Sequence, residues 1–352
     1  MDNKRSISYI NGMKGIACFM IMLSHYFYIY AGAESFVPAI KVLDVIKTHA
    51  KLSIFFDEQF WVSMFFVVSG YLAAMADIRS LPKLLKKILR RFLRLFIPVL
   101  LTFAVIYIIY LTVGFHNAET KQFFDSSWYQ NYYSGSISFS DVLLGPFRVL
   151  LLGDHVMNGP YWVLRGMLLA SMAVYAFNYI IHRFPNKYVQ YILAAVLLMS
   201  SSFFDEPYRG CIFGFLVYCF ENRTDETKEY YFAFIALLAF FAYAFSRKVE
   251  AFAAFGLIIL LAKRSSMLDR FLSCKLFLAM GKVSWGIYSF HWPVVCSVGG
   301  LLICVFAKKS LTAAYFVAAI VCVIVTALLA IFSKVTIERV TSKLINISFF
   351  KG

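Results

Sequence analysis

Two polar residues interrupt the first long apolar stretch of the chain, Lys14 and His25. They lie roughly three helical turns apart. On an α-helix their side chains return to within about 20° of one face, roughly 16 Å apart along the axis. A cation and a titratable imidazole on one stripe can hold an anion at one depth and move a proton at another. Such groups are costly inside hydrocarbon, so the pair is a candidate for chemistry, for a polar pathway or for a buried structural contact. A second basic set follows Ser80, a residue of N-cap type: Lys83, Lys87, Arg90, Arg91 and Arg94 recur at helical spacing, with Leu84, Leu85, Ile88 and Leu89 between them. This predicts an amphipathic surface helix that runs on into a span before Pro98. The strip suits anionic headgroups, or phosphate oxygens that arginine meets with several planar donors.

The elements that must position these groups follow from composition. With 61% hydrophobic and 15% charged residues and a mean hydropathy of +0.73, the chain reads as an all-α polytopic membrane protein. It is expected to be a single domain over 1–352. Apolar windows predict about ten spans, near 9–30, 58–76, 94–114, 160–181, 189–205, 208–220, 229–246, 250–263, 280–307 and 311–333. The windows 208–220 and 250–263 are short enough to be re-entrant or packed against neighbours. No small-residue cleavage site follows the first window, so it reads as a retained span.

Lys and Arg favour alternate connections by about two to one, which predicts both termini in the cytoplasm and the strip at the cytoplasmic surface. The net charge of +15 then reflects topology and anionic lipid, and no nucleic-acid partner is needed to explain it. The seven cysteines lie in or beside apolar runs without metal-ligand spacing, so neither a metal site nor a disulfide framework is expected. Phosphate-binding and dinucleotide-binding glycine patterns are absent from the sequence.

Four segments, in order, resemble the acyltransferase 3 family of integral membrane O-acyltransferases. The first is the basic residue, ten intervening positions and histidine of Lys14 to His25, with Lys where most members carry Arg. The second is Phe65-Phe66-Val67-Val68-Ser69-Gly70-Tyr71-Leu72. The third is Arg90-Arg91-Phe92-Leu93-Arg94-Leu95 with Pro98 nearby. The fourth runs Gly281-Lys282-Val283-Ser284-Trp285-Gly286-Ile287-Tyr288-Ser289-Phe290-His291-Trp292-Pro293. Two positions depart from the pattern. Met167 stands where many members place Glu, and Ile337-Glu338-Arg339-Val340 lacks the proline of a Glu-x-Pro ending.

The resemblance implies transfer of an acetyl or other short acyl group from cytoplasmic acyl-CoA, most simply acetyl-CoA, to a hydroxyl of a cell-surface or exported glycan. Exopolysaccharide, lipopolysaccharide and lipid-linked glycans are acceptors of this kind, and the location would be the inner membrane. No bound cofactor is implied, acyl-CoA being a co-substrate. A sugar hydroxyl is a poor nucleophile at neutral pH, and His25 is the expected general base. Lys14 would bind the donor or stabilise charge on its carbonyl oxygen. Arg90, Arg91 and Arg94 would meet the CoA phosphates.

Around these, His291 is a candidate for a direct part or for a helix–helix hydrogen bond, and Pro293 removes an N–H and can open space for a ligand. Ser69 is expected to assist close packing beside Gly70 rather than act as a nucleophile. Trp162, Tyr288 and Glu338 are candidate cavity residues. Asp57 and Glu58, at the outer end of the second span, could accept hydrogen bonds from acceptor hydroxyls. The aromatics of the connection 115–158, Phe123, Phe124, Trp128, Tyr129, Tyr132 and Tyr133, could stack on sugar rings or rest on headgroups, and headgroups are the expectation. Two rival readings stand beside the enzyme: a transporter or flippase of a glycan or lipid intermediate, and a binding relative without catalysis.

Overall fold

The computed structural model describes residues 8–29, 57–184, 186–223 and 249–346. They are helical and contain no strand. The longer helices are α1 (Ser8–Ile29), α2 (Glu58–Ala74), α3 (Leu81–Thr112), α4 (Phe139–Phe147), α5 (Leu164–Ile181), α6 (Lys187–Ser200) and α7 (Glu206–Arg223). They continue with α8 (Val249–Arg264), α9 (Ser266–Leu272), α10 (Lys275–Lys282), α11 (Ser284–Val294), α12 (Gly300–Phe306), α13 (Leu311–Val335) and α14 (Ile337–Ile345).

Among the described residues, four helical stretches are long and apolar enough to cross a membrane: Leu81–Thr112, Gly159–Ile181, Ser284–Phe306 and Leu311–Ile345. A fifth is possible if Ala251–Arg264 and Ser266–Leu272, bent by 113°, count as one broken span. This is fewer than the ten expected. The expected span near 229–246 lies outside the described residues. The windows 9–30, 58–76, 189–205 and 208–220 are helical but fall short of a span by the same measure. The reason is visible in their sequences: α1 carries Asn11, Lys14 and His25, α7 carries Glu206, Arg209 and Glu221, and α2 and α6 are short at 17 and 14 residues.

Of these, α1, α2 and α7 turn most of their side chains toward protein, whereas α6 exposes Ile192, Val196 and Met199. In α2 the run from Val62 to Ala74 is almost entirely buried, against α1, α5, α7 and α8. Its approach to α7 is set by two glycines. A Cβ on Gly70 would overlap the Cys211 carbonyl, and one on Gly214 would overlap that of Val67. Backbones this close need small residues at the crossing. Gly70→Val is therefore expected to force the helices apart at a cost of at least about 1–3 kcal/mol. The check is the thermal unfolding midpoint of the detergent-solubilised protein, which should fall by several degrees.

The basic strip and the span after it form the single helix α3, as the spacing predicts. Ser80 is extended at its N-cap but makes no side-chain cap, and Pro82, which has no N–H to leave orphaned, stands in the first turn. Leu81, Leu85 and Leu89 are exposed along one face.

The stretch Ser284–Phe306 is continuous but irregular. Pro293 offers no N–H to the Ser289 carbonyl one turn back, and Asn158 Nδ2 donates to that carbonyl instead at 2.8 Å. A π segment, Val295–Gly299, follows. Its loosened carbonyls are also taken from outside the helix: the His116 N–H donates to Cys296 at 2.9 Å and the Tyr129 hydroxyl to Val295 at 3.3 Å. The break thus anchors the connection 115–158 onto the bundle, with Asn158, His116 and Tyr129 taking up the carbonyls in and before it.

Candidate active site

The site begins with a chain of hydrogen bonds across three helices. His291, on α11, is fully buried, and its Nδ1 lies 2.9 Å from the Ile287 carbonyl. A carbonyl only accepts, so Nδ1 carries the proton, and in the neutral ring Nε2 is an acceptor. His25 Nδ1, on α1, lies 3.0 Å from that Nε2 and must be the donor. The remaining nitrogen, His25 Nε2, lies 3.0 Å from Glu58 Oε2. One proton is shared between that ring nitrogen and that carboxylate. The polarity of the chain is therefore set from the Ile287 carbonyl outward, and the one nitrogen left to exchange a proton with a reactant is His25 Nε2.

Local structure explains how each member reaches its place. Asp57 caps α2, accepting from the Gln59 and Phe60 N–H groups at 2.9 and 3.2 Å. Glu58 is then the first residue of α2, where the helix dipole favours a negative side chain. His25 and Glu58 keep 14% and 28% of their side-chain surface, so solvent reaches the pair, whereas His291 is sealed.

Aromatic rings cover the pair. Trp292 meets His25 edge-on at 5.5 Å and Trp128 stacks on Trp292 at 4.9 Å. Tyr132 packs edge-on against Trp292 at 5.2 Å, and Tyr129 is buried beneath it. These rings of the connection 115–158 therefore rest on protein, and only Trp128 among them is largely exposed. Tyr129 and Tyr132 rest on protein and not on headgroups, because the π segment and Asn117, which donates to the Tyr129 and Tyr132 carbonyls, hold the loop down.

On the other side of the histidines lies a cavity of about 590 Å³. Lys14, Lys87, Arg91 and Arg94 line one part of it, and Cys18, Val62, Phe65 and Tyr288 line another. No carboxylate lines it, and no acidic side chain among the described residues pairs with any of the four cations. Val62 follows Glu58 by one turn and Tyr288 precedes His291 by three residues. The apolar wall therefore approaches the hydrogen-bond chain to within about one turn, roughly 5 Å along the helices. Tyr288 is pinned there by its hydroxyl on the Pro160 carbonyl.

Several expected residues fall elsewhere. Arg90 does not line the cavity: it reaches α14, donating to Asn346 Oδ1 at 3.2 Å, and Lys87 stands in its place. Helical spacing does not separate the two, since Arg90 lies about 40° from Arg94 and Arg91 about 40° from Lys87; the packing of α14 against α3 draws Arg90 away. Glu338 pairs with Lys334 at 2.6 Å across the α13–α14 joint, away from the cavity, and Trp162 packs edge-on against Phe66 at 6.1 Å. Ser69 lines the cavity and accepts from Arg91 Nη2 at 2.7 Å, a role besides packing. Met167 also lines it, so an apolar thioether faces the space. Among the described residues, no cluster of three His, Cys, Asp or Glu side chains could hold a metal ion.

The described residues thus form a helical membrane bundle with a basic cavity beside a partly exposed histidine, His25, held by a sealed one, His291. A family model described as an acyltransferase domain, the acyltransferase 3 model, matches residues 7–332. The chain belongs to that family and is a multi-pass membrane acyltransferase. No curated protein and no solved structure matches it.

Proposed function

We propose that the protein moves an acetyl or other short acyl group from cytoplasmic acyl-CoA to a hydroxyl of a cell-surface or exported glycan. It would sit in the inner membrane with both termini in the cytoplasm. The observation that carries the reading is the continuity from four cations with no acidic partner among the described residues, through an apolar wall, to within about one turn of Glu58 and His291, the two partners of His25. Phosphates of the donor would rest on Lys14, Lys87, Arg91 and Arg94, and the thioester would lie near Cys18, Phe65 and Tyr288. Lys14 stands about 16 Å along α1 from His25, which favours donor binding over a contact with the reacting carbonyl.

In the reaction Glu58 withdraws with the proton it shared with His25, and the acceptor hydroxyl takes its place at the freed Nε2, giving that nitrogen its proton as its oxygen bonds to the thioester carbon. The carbon–sulfur bond then breaks, and the departing thiolate takes the proton from the imidazolium, leaving CoA thiol and neutral His25. Glu58, displaced, can accept from a neighbouring hydroxyl of the sugar. His291 does not touch the reactants. It holds the His25 ring with Nδ1–H inward.

The test is purified protein in liposomes with radiolabelled acetyl-CoA and envelope glycans. Covalent label on glycan supports transfer, whereas passage of unlabelled glycan with no acylation would favour transport and overturn it. His291→Phe leaves the His25 Nδ1–H without an acceptor, a loss of about 1–3 kcal/mol. kcat should fall roughly 5- to 150-fold with the donor KM unchanged. His291→Gln, which retains an acceptor atom, should recover part of the rate.

A further inference from the structure

We propose that a second cavity, in the connection between α3 and α5, is a binding subsite for sugar rings of an oligosaccharide. This rests on the acyltransferase reading above and supplies its acceptor side. The cavity encloses about 440 Å³, within the range of small-molecule sites. Tyr132 and Tyr133 form its aromatic wall, and Ser136, Arg148, Asp154 and His155 contribute polar edges.

The aromatic wall is built and held. The Tyr132 hydroxyl donates to the His155 carbonyl at 2.5 Å and that of Tyr133 to Met157 at 2.8 Å, clamping two strands of the loop together. Tyr133 adopts φ 53°, a conformation side chains rarely take, and its ring stacks on Phe115 at 3.8 Å. Strain of this kind persists only where the surroundings impose it, and it gathers at ligand clamps.

The polar edges suit hydroxyls. Asp154 uses one oxygen on the Val156 N–H at 3.1 Å, and no other side-chain hydrogen bond reaches it among the described residues. Arg148 makes one contact, to Asp141 at 3.2 Å, which leaves further N–H groups of its fork for a ligand. A fixed tyrosine face beside carboxylate and guanidinium edges matches a sugar ring, apolar on its C–H face and hydroxylated around its rim.

Packed rings join the wall of the cavity to the histidine pair. The Tyr132 ring packs on Trp292 at 5.2 Å, and Trp292 on His25 at 5.5 Å. Within that packing, beside Gly159, Trp292 Nε1 is buried with no hydrogen-bond partner among the described residues.

Two variants of the full chain in detergent test this, Ser136→Trp to fill the exposed mouth and Asp154→Asn to remove the charge. The probe is the oligosaccharide fraction released by mild acid from the envelope of the producing cell. Saturation-transfer NMR without acyl-CoA reads binding alone, and labelled transfer reads KM for acceptor and donor. The inference expects sugar signals with the native protein that fall at least threefold in Ser136→Trp. It also expects an acceptor KM raised about tenfold or more in both variants with donor KM unchanged. No sugar signal with the native protein, or an unchanged signal and acceptor KM in both variants, would overturn it. Sugar signals lost in the variants while the native protein transfers no label would uphold the subsite and reject the catalytic reading.

Discussion

Replacing His25 with Ala should lower kcat for acyl transfer by about 10²- to 10⁴-fold, the usual contribution of a positioned general base. Its Nε2 is the only ring nitrogen of the pair turned toward solvent-reached space, and His291 cannot substitute, because its own Nε2 faces the position of the lost ring. Donor binding should be untouched, since the cationic part of the cavity lies about 16 Å away along α1. The measurement is single-turnover transfer from radiolabelled acetyl-CoA, with the variant's CoA affinity measured in parallel. A variant that retained a tenth of the rate would remove the histidine from the chemistry. Glu58→Gln offers a separate check on the shared proton. The amide cannot take up that proton, so the pH dependence of transfer should change while CoA affinity holds.

Replacing Arg91 with Ala should raise the acyl-CoA KM by roughly 10- to 100-fold, as expected for losing a charge-assisted bond of about 1.5–3 kcal/mol. Arg91 is central in the basic cluster: it lines the cavity beside Lys14 and is steered by Ser69 at 2.7 Å. Arg91→Lys should recover the charge but lose the fork, giving an intermediate KM. Arg90→Ala, by contrast, should leave donor KM near native, because Arg90 turns toward Asn346. Isothermal titration with CoA orders the three variants. Equal losses in Arg90→Ala and Arg91→Ala would mean that general positive charge, and not this cavity, holds the donor.

Much of the site was legible residue by residue. Lys14 and His25 lie on one helix as their spacing predicts, and α3 joins a basic strip to an apolar span without interruption. The helical rule does not choose between Arg90 and Arg91, which flank the stripe of Lys87 and Arg94 about equally; the contact of Arg90 with Asn346 decides it. Less legible was the number of membrane crossings. Hydropathy reports how apolar a helix is, whereas the amount of polarity it can carry depends on what packs around it, as the buried faces of α2 show.

What the sequence by itself determined are properties carried within a segment: helix formation, the apolar and basic stripes, the break at Pro293, and the motifs that mark the family. The tertiary structure alone decided which segments meet. Glu58 and His291 reach the same imidazole from 33 and 266 positions away, and Asn158 reaches the carbonyl that Pro293 releases. Periodicity relates a residue to its neighbours three or four places along its own helix. The proton path and the two cavities arise between helices, where close glycine crossings and redirected carbonyls set the distances.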